Sequence, residues 1–177
     1  NGLPVIASLQ SCFIYNTAEE GSSFECSNPI FTQTHRLIER AERSNMQSVM
    51  SDCPHREKLG WLEQDHLVGP SLFYNFDMTQ FCPKIIRDIT DTQKADGMVP
   101  TTAPQYVSFG NLFDDSPEWG STLIIMPFQY YEQYGDSTLI IKNYQAMRRY
   151  VDYLTGRSQN GIVSHGLGDW YDVVEGK

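Results

Sequence analysis

The chain has 177 residues, enough for one domain with a substantial core. Hydrophobic residues make up 40% and aromatics 12%, a composition that excludes a disordered polypeptide. Its 13 Lys+Arg against 22 Asp+Glu leave a net charge of −9, with no basic cluster, which excludes nucleic acid and anionic membrane surfaces as partners and suits a neutral ligand such as a sugar. No run approaches the roughly 18 apolar residues of a transmembrane helix, and no signal peptide opens the chain. The first residue is Asn1, which reads as a processed or excised piece. Cysteines 12, 26, 53 and 82 lack the close pairing of a zinc or redox motif. Cys12 and Cys26 flank a possible hairpin, but free, buried thiols are the expectation. The compartment stays open.

In chain order, residues 3–26 alternate apolar and polar groups and predict one or two strands around the turn "TAEEG". The period then changes to helical. Asn28 or Ser27 caps a first helix, Pro29 takes its first turn, and Ile30, Thr34, Leu37, Ile38 and Ala41 form its stripe to about Met50. A second helix is expected from about Leu62 to Phe76, kinked at Gly69-Pro70, and a third from Thr79 to Lys94 with Phe81, Ile85, Ile86 and Ile89 buried. A fourth starts at Ser116-Pro117, bends at Pro127 and ends at Gly135. The fifth starts at Asp136 or Ser137 with Ile140, Tyr144, Met147, Val151 and Leu154 inward, and stops at Gly156.

The connections divide into two kinds. Helices two and three, and four and five, are joined by tight links that make antiparallel hairpins. The other connections, 51–61, 95–116 and 157–174, are long and polar. In an up-and-down array alternate connections share an end, so these three loops form one rim, where function concentrates. All three tryptophans lie there, each close to an acid: Glu57 with Trp61, Glu118 with Trp119, Asp169 with Trp170. Indole faces stack on the C–H faces of sugars, carboxylates accept from hydroxyls, and paired carboxylates can hydrolyse glycosides. Each feature also has a plainer role: a tryptophan as core plug, Glu118 as a partner for the helix dipole, Arg56-Glu57 as a solvated charge pair. Their recurrence on three loops tips the balance toward a carbohydrate site. Cys53 with His55 is poorly spaced for a nucleophile–base pair, and the four histidines lack metal-ligand spacing, so neither a metal nor another cofactor is expected.

The stretches "DCPHREKLGW" (52–61), "PEWG" (117–120) and "GLGDWYD" (166–172), with "CSNPIF" and "DGMVP", resemble the catalytic domain of bacterial α-L-rhamnosidases of glycoside hydrolase family seventy-eight. The resemblance implies a mainly α fold, part of an (α/α)6 toroid of antiparallel helical hairpins. Residues 1–26 would be a β linker from a preceding domain and 27–177 the N-terminal portion of the toroid. It implies inverting hydrolysis of terminal α-L-rhamnose, with Glu57 as proton donor and Asp52, Arg56, Trp61, Asp169 and Trp170 around the sugar; the rim adds Glu118 and Trp119 to that pocket, and Gln64 stands at the end of the first motif. At Gln64 many members carry aspartate, so that role shifts or weakens. The family's catalytic base would come from a loop beyond Lys177, making the remaining parts of the enzyme a partner of this piece. A secreted or periplasmic setting fits a polysaccharide-degrading enzyme. Another α-toroid hydrolase, trehalase-like or glucoamylase-like, and a non-catalytic sugar-binding or structural helical piece are the alternatives.

Overall fold

The computed structural model describes residues 4–110 and 113–168. Among the described residues seven helices follow in order: α1 (Pro29–Asn45), α2 (Glu63–Leu67), α3 (Gly69–Asn75), α4 (Phe81–Thr92), α5 (Pro117–Gly120), α6 (Thr122–Tyr134) and α7 (Thr138–Arg157). Two of the five expected helices are thus divided. The second breaks at Val68, just before Pro70. The fourth breaks at Ser121, so that α6 runs through Pro127 unbroken. The first helix ends at Asn45, earlier than the periodicity predicts, while α7 passes through Gly156 to Arg157. Caps behave as their chemistry requires. Asn28 Oδ1 accepts from the Ile30 N–H at 3.0 Å, and Gly135 closes α6 at φ 68°, which glycine reaches without Cβ strain.

The strands expected in the N-terminal stretch do not form among residues 4–26. Only Glu20 pairs, as an isolated antiparallel bridge to Phe76. Alternation prepares a segment for a sheet, but a strand needs a neighbour to hydrogen-bond along its length, and here backbone pairing is confined to Asn16 N–H on the Met46 carbonyl and to the residues around the Glu20–Phe76 bridge. Cys12 and Cys26 are free but exposed rather than buried; Cys82 is the buried thiol.

The core lies where α6 packs on α2, α4 and α7. Phe81, Ile85, Ile86 and Ile89 of α4 are buried as their spacing predicts, with Leu123, Met126 and Tyr130 of α6 against them. On α7 the buried residues are Leu139, Ala146, Met147 and Tyr150, whereas Tyr144 and Val151 are exposed. That helix carries apolar residues on more than one face, and packing on α6 selects the face containing Tyr150.

Buried polar groups tie the short helices down. The Thr122 hydroxyl donates to the Leu62 carbonyl at 2.6 Å, which leaves its lone pair to accept from His66 Nδ1 at 2.7 Å. The shared hydroxyl therefore fixes His66 as the Nδ1–H tautomer. Asp65 is buried beside α4, and desolvation holds its carboxyl well above the ordinary value despite Lys84 nearby. At the end carrying the tight turns, the Tyr134 hydroxyl accepts from the Met78 N–H at 3.0 Å, while Asp77 and Asp136 both raise the Tyr130 hydroxyl after burial has done so. Those two turns therefore share one end, as the hairpin count requires.

Candidate functional site

The opposite end gathers the long connections. Residues 60–62 and 101–103 are stapled by backbone hydrogen bonds: Leu62 N–H to Thr101 O at 2.9 Å and Ala103 N–H to Gly60 O at 3.0 Å, with Trp61 bridging Thr102. Gly60 is required there, because a Cβ would stand 2.5 Å from the Ala103 carbonyl oxygen. The third connection is attached as well. Leu167 donates its N–H to Ser116 Oγ at 2.9 Å, and Asp115 gathers Tyr153, Arg157 at 3.5 Å and His165 at 3.4 Å.

Between these segments lies a cleft of about 490 Å³, within the range of about 300–1,000 Å³ usual for small-molecule sites. One wall is polar, with Asp52, Arg56, Glu57, Glu63 and Gln64. The other is apolar, with Trp61, Leu67, Phe109, Phe113, Trp119 and Leu167.

The polar wall is a tightly bonded loop. Asp52 Oδ1 accepts from the Leu59 N–H at 3.2 Å, and Oδ2 from the Cys53 thiol at 3.2 Å. That sulfur in turn accepts from the Glu57 N–H at 3.2 Å. Lys58 sits at φ 58°, a left-handed conformation that costs a non-glycine residue on the order of 1 kcal/mol and clusters at functional sites. Trp61 Nε1–H donates to Glu57 Oε2 at 2.9 Å, while Arg56 approaches Oε1 at 3.7 Å from a largely exposed position. Gln64 spends its Nε2 on the Met50 carbonyl at 3.0 Å, so its side-chain carbonyl is the group left for the cleft.

The apolar wall is an aromatic stack. Trp61 lies against Phe109 with ring centroids 5.3 Å apart and 18° between planes, and Trp119 tilts against Trp61 at 6.2 Å. Phe109 is held by Asp114, whose carboxylate accepts from Ser108 Oγ and from the N–H groups of Phe109 and Gly110 at 3.0 and 3.1 Å. Burial pushes the Asp114 carboxyl up, but these hydrogen bonds outweigh it and leave the group below its ordinary value.

Asp52, Arg56, Glu57, Trp61, Gln64 and Trp119 thus meet at one cleft, drawn from the 51–61 loop and from the short helices α2 and α5. Glu118 is not among its lining residues. Neighbours on a helix point about 100° apart; Trp119 takes the cleft side and Glu118 lies where its charge raises the Tyr150 hydroxyl, after desolvation and Asp115. Asp169 and Trp170 lie outside the described residues. Phe109, Phe113, Leu67 and Leu167 were not singled out from sequence. Aromatic residues in a long loop were the available signal, but nothing in their spacing says which ring turns inward. Among the described residues no group of three or more His, Cys, Asp or Glu side chains is placed to hold a metal ion.

Comparison with known proteins follows the same cleft-bearing region. The profile described as the bacterial alpha-L-rhamnosidase 6 hairpin glycosidase domain matches residues 19–177. An alpha-L-rhamnosidase of Formosa agariphila is 30% identical across 92% of this chain, and one of Streptomyces avermitilis 29% identical across 98%. Among solved structures, the alpha-L-rhamnosidase from Dictyoglumus thermophilum superposes with a TM-score of 0.82 at 29% identity, covering 92% of this chain and 18% of its own. The Streptomyces avermitilis alpha-L-rhamnosidase complexed with L-rhamnose gives 0.81 at 28% identity, covering 88% of this chain and 15% of its own. The chain spans less than a fifth of these relatives, 18% and 17% of the two matched by sequence.

Proposed function

The chain belongs to the family of the bacterial alpha-L-rhamnosidase 6 hairpin glycosidase domain, and from that premise we propose that the protein it forms part of releases terminal α-L-rhamnose from glycosides or polysaccharides. Glu57 is the general acid. The observation that carries this role is the hydrogen bond from Trp61 Nε1–H to Glu57 Oε2 at 2.9 Å, in the wall of a cleft with sugar-sized room. With Oε2 accepting from the indole N–H, Oε1, which Arg56 approaches at 3.7 Å, is the oxygen left to serve the glycosidic oxygen. Arg56 and Asp52 take the sugar hydroxyls as donor and acceptor, Gln64 adds a carbonyl, and Trp119 supplies apolar surface. Asp169 and Trp170 extend that contact, by the resemblance of their motif.

The reaction proceeds with inversion. The carboxylate that activates water stands across the sugar, about 6.5–9.5 Å from Glu57, with a water molecule between them. It comes from outside the described residues, as part of the remainder of an (α/α)6 toroid. Residues 1–26 serve as the linker to a preceding domain, and 27–177 open the toroid.

In the full-length protein, Glu57→Gln is expected to lower turnover of alkyl α-L-rhamnosides by about 10²–10⁴. Aryl rhamnosides with acidic leaving groups need less protonation and lose less. Unchanged turnover on both would remove Glu57 from the role. Release of the opposite anomer, followed by NMR before mutarotation, tests inversion; a retained anomer would place the second carboxylate close enough to act as nucleophile. Binding of rhamnose without turnover would favour a non-catalytic sugar-binding protein.

A further inference from the structure

On the rhamnosidase reading above, we propose that Phe109 is a specificity-determining residue whose exposed ring receives an apolar, ring-bearing leaving group, and that Asp114 positions it. A sugar approaching Trp61 finds one indole face covered by Phe109 at 5.3 Å and the ring bounded by Trp119 at 6.2 Å, while the indole N–H is committed to Glu57. Trp61 therefore orients the proton donor, and the stacking surface passes to the next ring outward. Phe109 is 42% exposed and lines the cleft, with Phe113 beside it at 6.5 Å.

The direction of this stack assigns its occupant. Glu57 marks the position of the glycosidic oxygen, because the acid must reach the atom it protonates. The stack starts at the residue bonded to Glu57 and runs through Phe109, so a group leaving past the donor meets the Phe109 ring. A flat apolar substituent gains offset stacking there, whereas a methyl group is too small to cover the ring.

Asp114 makes the ring a fixed wall. It accepts from Ser108 Oγ and from two consecutive N–H groups, those of Phe109 and Gly110, and it is itself buried. Removing that carboxylate frees the backbone that carries Phe109 and loosens its stack on Trp61, while Asp114 makes no hydrogen bond of its own to Glu57, Arg56 or Trp61.

The experiment compares benzyl and methyl α-L-rhamnosides with the full-length protein. Both release alkoxide leaving groups, so their demand on the proton donor is similar and the ring is the difference. Phe109→Ala is expected to lower kcat/KM about tenfold more for the benzyl than for the methyl substrate, with the difference mainly in KM. Phe109→Tyr keeps the ring and retains the preference. Asp114→Ala reproduces the benzyl-selective loss, and the double variant loses no more than Phe109→Ala alone. Equal losses on both substrates, or none, overturn this proposal and leave the rhamnosidase reading intact. A wild-type protein that releases rhamnose from neither substrate overturns both.

Discussion

In α4, Ile86 and Ile89 are fully buried; in α1, Ile30 and Leu37 are 67% and 68% exposed. Both helices carry apolar residues at helical spacing, and both begin beside a turn-forming polar residue. They differ in what reaches them. α4 is covered by α6 and α7, with Leu123, Met126 and Met147 packed onto the same cluster. α1 is held chiefly at its C-terminal end, where buried Glu42 accepts from Asn75 Nδ2 at 2.7 Å and Arg43 stacks on Tyr15 and Phe76. A stripe in the sequence specifies that a face is apolar. Its neighbour is specified by other segments, and only topology brings the two together.

Mutations can break this contrast. The largest effect is expected in α4: Ile86→Ala should lower stability by about 2–5 kcal/mol, read from the urea midpoint, because it empties a closed site. Leu37→Ala, on an open face, should stay within about 0.5 kcal/mol. Equal losses would mean that α1 is covered in solution.

A second test sharpens the buried side through pH. The Asp65 carboxyl is raised well above its ordinary 3.8, first by desolvation. A group with a raised folded pKa contributes its stability fully below the unfolded value and loses it as pH climbs toward the folded value. Stability should therefore decline from about pH 4 upward, and Asp65→Asn should flatten that slope. A slope unchanged in the variant would assign it to other groups.

The smallest effect on folding belongs to the open face. In residues 1–177 taken alone, Leu37→Glu should leave the urea midpoint within about 0.5 kcal/mol yet lower self-association in sedimentation, since the exposed stripe of α1 is the surface that changes. Association that persists unchanged would point instead to the exposed apolar residues of α6 and α7, such as Phe128 and Ile141.

Much of this was legible in the residues. The hairpins 62–92 and 117–157 and the cap at Asn28 follow from local chemistry, as does the clustering of loop 51–61 with Trp119. Such signals act over one or two turns or through loop length. The face of α7 was not legible, because Tyr144 and Tyr150 are equally apolar to a periodicity count and only α6 chooses between them. The strands of the N-terminal stretch failed for a related reason: alternation is local, while a pairing partner is not. At the site, the acid–tryptophan pairs pointed to Glu57, Trp61, Glu118 and Trp119, of which Glu57, Trp61 and Trp119 line the cleft and Glu118 is not among the lining residues. Phe109 was hidden because a single ring in a long loop carries no period at all.

The backbone staple between Gly60–Leu62 and Thr101–Ala103 has a consequence for anyone recombining this fold with a relative. The strip that carries Trp61 and the strip beneath Phe109 are two pieces of one part, separated by some forty positions but exchanged across 2.9 and 3.0 Å hydrogen bonds. A chimera that swaps either loop alone must rebuild that seam, and any donor loop without glycine at position 60 collides with the Ala103 carbonyl. The two loops are heritable as a pair, so crossover points belong outside residues 51–116 rather than within α4.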